Sequence, residues 1–207
     1  MTNAYVQYGC GLCAPQTWLN FDSSLTLRLE RLPLCGLFLA KRKRLFPDNV
    51  YYGDITRGLP VQPNSCNGIY CSHVLEHLAL DDFDIALSNS FKYLRRGGTF
   101  RFVLPDLERL VKDYLADTSE CAAAKFMRNS CLGRKERARG LRGLLVAYLG
   151  NTAHLWMWDE KSMRERLCAH GFNEIHRVAF GDAEDKRFSE VEDIGRFDGC
   201  LAMQCRK

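Results

Sequence analysis

The sequence predicts an α/β fold: a doubly wound, mainly parallel sheet with helices on both faces and a helical insertion. Three observations predict it. Short apolar runs alternate with longer amphipathic ones through most of the chain, which is the element order of a parallel sheet. Successive apolar runs end in Gly9 and Gly11, in Asp22, in Asp54 and in Ser72-His73, and in a doubly wound sheet such strand ends line one crevice. The chain has 207 residues, 46% of them hydrophobic and 26% charged, which suits a single soluble domain spanning 1–207 with a real core.

Taken in order, Tyr5-Val6-Gln7-Tyr8 is the first strand. It enters the turn Gly9-Cys10-Gly11, where two glycines let the backbone turn tightly and approach a ligand with no Cβ in the way. Only six residues separate Gly11 from Trp18, too few for a full helix and its N-terminal dipole. The second strand, 18–22, ends in Asp22, an acid placed to accept both hydroxyls of a ribose. Leu25, Leu29, Leu32 and Leu39 suit a helix broken near Pro33, and Lys41-Arg42-Lys43-Arg44 reads as a solvated helix end. The third strand, 50–55, carries Asp54, which can accept from an exocyclic amine. Gly58, Pro60 and Pro63 mark a loop.

The fourth strand, 68–72, runs straight into His73-Val74-Leu75-Glu76-His77-Leu78. Phe83, Ala86, Leu87, Ser90, Phe91 and Leu94 form one helical stripe over 81–94, with Asp81 expected as its N-cap and Gly97-Gly98 as its stop. The fifth strand, 99–104, is closed by Pro105. A helix over 106–115 opens an inserted helical segment or lid, about 106–158, whose basic residues include Arg134, Lys135, Arg137, Arg139 and Arg142. Asp159 is expected to cap a helix over 160–170 that ends at Gly171. Strands at 173–180 and 200–205, with a charged connection over 182–198 between them, bring the total to seven.

In that order the blocks resemble the class I S-adenosylmethionine-dependent methyltransferases, most closely small bacterial ones of type 11. The resemblance is carried by Tyr8-Gly9-Cys10-Gly11, by Trp18-Leu19-Asn20-Phe21-Asp22, and by Gly53-Asp54-Ile55 with Gly58-Leu59-Pro60. It continues through Ile69 to Leu78, Leu94 to Leu107, and His154-Leu155-Trp156-Met157-Trp158-Asp159. It implies a seven-stranded Rossmann-like methyltransferase sheet and S-adenosylmethionine as cofactor. The implied cofactor residues are Tyr8, Gly9, Cys10, Gly11, Asp22, Asp54, Ile55, Ser72 and His73. The short first crossover and the missing third glycine depart from the family pattern.

The cofactor supplies the methyl group, so the protein must position an acceptor and keep water out. An oxygen or neutral nitrogen acceptor also calls for a base. His73, at a strand end facing the crevice, and His154, among aromatics ahead of a helix, are the catalytic candidates, since histidine carries protons near neutral pH. A structural reading stands beside each: His73 as a cap on the next turn, His154 as a buried histidine bonded to backbone. Trp156, Met157 and Trp158 could line an acceptor pocket or simply pack in the core.

The expected reaction is methyl transfer to a small-molecule or glycan-type acceptor. A cofactor-binding subunit without transferase activity, and an RNA methyltransferase using the basic runs, stay open. Nucleic acid is not the expected partner, because the net charge is only +4 and the basic cluster lacks interleaved aromatics. No 18-residue apolar run and no signal-peptide pattern occur, so a cytoplasmic protein is expected. The ten cysteines are scattered and expected to be reduced. Cys10 and Cys13 form the one C-x-x-C, with no second pair to complete a zinc site, so no metal is expected. The oligomeric state is not legible.

Overall fold

The computed structural model describes residues 4–31, 45–133, 140 and 153–207. The basic run Lys41-Arg42-Lys43-Arg44, the basic residues between Arg134 and Arg142, and the continuation of the first helix past Arg31 lie outside the described residues.

Seven strands among the described residues form one sheet: β1 (Ala4–Tyr8), β2 (Leu19–Asp22), β3 (Val50–Tyr52), β4 (Cys66–Ser72), β5 (Leu94–Pro105), β6 (Asn173–Arg177) and β7 (Cys200–Arg206). Their order is β3-β2-β1-β4-β5-β7-β6. The first five run parallel, and β7 is antiparallel to β5 and β6. The helices among the described residues are α1 (Leu25–Glu30), α2 (Leu80–Tyr93), α3 (Leu107–Ala116), α4 (Ala122–Asn129), α5 (Glu160–Ala169) and the single turn α6 (Ile194–Phe197). The order reverses between β1 and β4, so the carboxyl ends of β1, β2 and β4 meet at the crevice expected from their polar termini.

Alternation along the strands decides what each face buries. Val6 and Tyr8 of β1, Ile69 and Cys71 of β4, and Phe100 and Phe102 of β5 share one core with Phe83 and Leu87 of α2 and with Met163 and Leu167 of α5. The other face is covered differently from the two-sided helical coat expected. Tyr5, Tyr70 and Val103 pack against Trp18, Phe188 and Val191, and Phe188 belongs to a short 3-10 helix, Lys186–Glu190. The charged connection between β6 and β7 is thus the lid of the second face.

Buried amides replace the missing first crossover helix. Gln7 Nε2 donates to the Cys13 carbonyl at 2.8 Å and to Asn20 Oδ1 at 2.6 Å. Asn20 Nδ2 donates to the carbonyls of Pro15 and Trp18 at 3.1 and 3.0 Å. Both residues are buried; the Gln7–Asn20 bond ties the two amides together, and the others satisfy carbonyls of the loop that no helix is there to satisfy.

Several boundaries differ from the sequence pattern, and β6 stops at Arg177 rather than running to 180. The N-cap of α2 is Ala79, with no side-chain cap, and Asp81 lies inside the first turn, where its charge still complements the helix dipole. β3 stops at Tyr52, and Asp54 instead bridges to Gly58 in a tight loop. β5 begins at Leu94, taking in the expected glycine stop. Asp159 does cap α5, in a capping box with Ser162. Both α3 and α4 bury no residue completely and meet each other through Tyr114 and Phe126, ring centroids 5.6 Å apart.

Candidate cofactor crevice and polar cluster

The crevice begins where β1 ends. Gly9 and Gly11 both have positive φ, +66° and +54°, but for different reasons. A Cβ on Gly9 would come far inside van der Waals contact with Val74 Cγ2, whereas one on Gly11 would meet nothing within 4 Å. The close approach at Gly9 is therefore to the chain after β4, and the open one is at Gly11. The Cys10 side chain turns inward to Leu27, Phe46 and Val50, where burial pushes its thiol pKa up to about 12. The Tyr8 ring is buried too, its hydroxyl 3.3 Å from Ser90 Oγ beneath α2. Only the backbone of Tyr8 and Cys10 is left to face a cofactor.

Asp22 stands opposite. Its Oδ2 accepts from the Gly11 amide at 2.9 Å and its Oδ1 from the Ser24 amide at 2.8 Å. Each carboxylate oxygen has a second lone pair to spare. A carboxylate with unused acceptor capacity, beside open backbone at Gly11, fits the diol of a ribose. Asp54 is occupied locally: its Oδ1 takes the Thr56 amide at 2.9 Å and the Thr56 hydroxyl at 2.7 Å, and Arg57 Nε lies 3.5 Å from its Oδ2. The Ile55 carbonyl accepts from Asn89 Nδ2 at 2.7 Å, and the Ile55 side chain is in the core.

At the end of β4, Ser72 is buried and its hydroxyl lacks a hydrogen-bond partner. His73 follows with φ +54°, a left-handed conformation uncommon for a residue with a Cβ. Its Nε2 faces the Arg196 carbonyl at 3.1 Å, with Cys200 Sγ at 3.8 Å, and its Nδ1 lies 3.2 Å from Glu76 Oε1. Cys200 and the Glu76 carboxylate push the imidazole up to about 10. With the Arg196 carbonyl at Nε2 and the Glu76 carboxylate charge beside Nδ1, His73 is held as the imidazolium and has no lone pair for an acceptor's proton.

The short 3-10 helix Leu75–His77 completes a polar cluster that the sequence did not single out. The Glu76 side chain is fully buried, yet neither carboxylate oxygen accepts a hydrogen bond. The Glu76 carbonyl accepts from the amides of Leu155 and Trp156 at 2.8 and 3.2 Å. That tie brings His154 against His77, ring centroids 4.9 Å apart. The buried Nδ1 of His154 has no partner, and desolvation lowers its pKa below the usual histidine value. Trp158 stacks on Phe83 at 4.1 Å inside the core, whereas Trp156 is exposed. The two expected histidines, His73 and His154, thus flank one buried carboxylate. Glu76 is invisible to a reading of the sequence because its helix is a single turn and its neighbours come from far along the chain.

The methyltransferase domain family matches residues 6–102, from β1 through the body of β5. Just under half of the chain is thus similar to a methyltransferase domain. Two solved structures share its fold. One is an S-adenosylmethionine-dependent methyltransferase from Thermotoga maritima, described as a possible histamine N-methyltransferase, 15% identical with a TM-score of 0.53 over 99% of this chain and 82% of that one. The other is an S-adenosylmethionine-dependent methyltransferase from Archaeoglobus fulgidus, 14% identical with a TM-score of 0.51 over 100% of this chain and 86% of that one. No curated protein matches the sequence. S-adenosylmethionine is the cofactor that this likeness supports. No helix among the described residues is long and apolar enough to cross a membrane.

The two glycines of the methyltransferase turn separate under mutation. Gly9→Ala should cost about 1–2 kcal/mol for the left-handed backbone and about 1–3 kcal/mol more for displacing Val74. Gly11→Ala should cost the first amount alone, yet place a methyl group on the open face of the crevice. Thermal melts should show the larger fall for Gly9→Ala, roughly 5 °C or more. Equal falls would contradict the different packing of the two positions.

Proposed function

We propose that this chain is an S-adenosylmethionine-dependent methyltransferase whose acceptor is a small molecule or a glycan-type group. The observation that carries the cofactor reading is the Asp22 carboxylate, oriented by Gly11 and Ser24 with lone pairs unused, one strand from the switch point of the sheet. Asp22 would hold the ribose and the Gly11 backbone would lie along the cofactor. The peptide groups around Asp54 and Ile55 would meet the base, and Ser72 and His73 would close the far wall. When bound, the cofactor supplies an electrophilic methyl group on a sulfonium. The protein's share is to bind, orient and exclude water.

His73 is a positioning residue in this scheme, a fixed cation at the end of β4. His154 keeps a lone pair and stands on the acceptor side. The exposed Trp156 indole, tilted against Trp158 at 6.1 Å, sets an apolar face beside these polar groups. A face of that kind suits a small ring or a sugar.

A second reading is favoured by one observation: the first crossover is built on Gln7 and Asn20, with no helix N-terminus toward the cofactor. It makes the chain a cofactor-binding subunit without transfer. Incubation with methyl-labelled S-adenosylmethionine and separate pools of small alcohols and amines, glycans, and RNA distinguishes the readings. Label in a small-molecule or glycan product supports the proposal. Label in RNA alone contradicts the acceptor class, and cofactor binding with no label in any pool supports the second reading.

A further inference from the structure

We propose that Glu76, His77 and His154 form a binding site for one divalent first-row transition-metal ion, of the zinc or cobalt kind, at the wall of the crevice. One ligand atom from each residue lies within 4.8 Å of the other two. Ligation at about 2.0–2.2 Å draws them together by small side-chain rotations. Two imidazoles and one carboxylate are the donor set that suits these cations, and three protein ligands leave a fourth position open.

Three features point to a ligand rather than to chance proximity. First, the Glu76 side chain is fully buried and both its oxygens lack a hydrogen bond. A buried carboxylate without hydrogen bonds is costly unless a cation meets it. The His73 imidazolium, 3.2 Å from Oε1 but out of line for a hydrogen bond, offsets part of that cost, while Oε2 has no partner. Second, His77 Nδ1 is 3.0 Å from the Ala153 carbonyl. Donation from that nitrogen fixes the tautomer and leaves the Nε2 lone pair free, the support that metal-bound histidines receive from outside the first ring of ligands. Third, the buried Nδ1 of His154 is unpartnered. The amides of Leu155 and Trp156 on the Glu76 carbonyl hold the two sequence-distant halves of the cluster in register.

The site goes beyond the methyltransferase reading and does not depend on it. If both hold, the lone pair of His154 goes to the cation, and an acceptor oxygen at the open position is activated by coordination rather than by a histidine base.

Fully reduced, chelator-treated protein titrated with Co²⁺ tests it, followed by absorption and by competition with a chromophoric chelator. The expected result is one ion per chain, ligand-field bands, no thiolate charge-transfer band, and a higher melting temperature with metal. Loss of a support outside the ligand ring lowers metal affinity about 10–100-fold, so loss of a ligand in Glu76→Gln or His154→Ala should lower it at least about 100-fold. His154 is only partly buried, so His154→Ala carries the test if Glu76→Gln fails to fold. Folded wild type that binds no Co²⁺, a thiolate band marking cysteine ligands, or variants with unchanged affinity would each overturn the site. S-adenosylhomocysteine binding is measured in parallel on the metal-free protein. Nucleoside binding without Co²⁺ binding overturns the metal site alone, and the reverse overturns only the functional reading.

Discussion

Asp22→Ala should lower the affinity for S-adenosylhomocysteine at least about tenfold while leaving a folded chain. A hydrogen bond to a charged group is worth about 1.5–3 kcal/mol, and about 1.4 kcal/mol is one decade of affinity. The ribose would lose two such bonds. The structure adds a second contribution: Asp22 also holds the amides of Gly11 and Ser24, so its loss loosens the open turn that faces the cofactor. Asp22→Asn, which keeps one acceptor oxygen, should lose less than the alanine variant. Calorimetry on the three proteins reads the order directly. Equal affinities would make Asp22 a local cap for the turn and the start of α1.

Arg101→Met should destabilise the chain by about 3–5 kcal/mol, the cost of breaking a buried ion pair from one side. Arg101 is on β5 with a fully buried side chain. Its guanidinium reaches Glu192 Oε1 at 2.5 Å, Asp182 Oδ1 at 2.7 Å, Gln204 Oε1 at 3.2 Å and the Ala179 carbonyl at 2.7 Å. Three of these partners lie on the connection that covers the second face of the sheet, so one strand residue anchors that whole cover. The Glu192 side chain is itself fully buried, so methionine strands a carboxylate in the interior. The melting temperature should fall on the order of 10 °C, at about 2–4 °C per kcal/mol. The double variant Arg101→Met with Glu192→Leu should recover most of the loss, because an apolar pair can replace a buried ion pair at little cost. A single variant that melts with the wild type would show that the connection is held by Phe188 and Val191 alone. The same segment carries Arg196, whose carbonyl faces His73 and whose guanidinium donates to the Ser72 carbonyl at 3.2 Å. Loss of the anchor should therefore be felt at the crevice too.

Much of this was legible in the residues. Short apolar runs and the glycine and acid punctuation place all seven strands, and the stripe from Phe83 to Phe91 places α2. Asp22 and Gly11 were legible because strand ends in a doubly wound sheet converge by topology alone. Partnership is what the pattern hides. Phe100-Arg101-Phe102 reads as an ordinary alternating strand, and nothing local says that Arg101 points to a buried Glu192. Gln7 and Asn20 read as strand polar residues, because what they replace, a crossover helix, is an absence in the sequence. Asp81 looked like a cap, but packing of Phe83 and Leu87 sets where α2 begins. Glu76 stands in a common-looking turn motif, and only the backbone bond from the Leu155 region makes it part of a cluster with His154. His73 was legible as a crevice residue but not as a fixed cation, since its charge is held by the Glu76 carboxylate and by the carbonyl of the distant Arg196.

A crystal structure of the protein with S-adenosylhomocysteine is the most direct measurement. The expected result is a nucleoside at the carboxyl ends of β1 and β2, with both ribose hydroxyls on the Asp22 carboxylate and the chain at Gly11 against the ligand. A nucleoside bound elsewhere on the sheet, or a crevice that stays closed over Asp22 at saturating ligand, would contradict it.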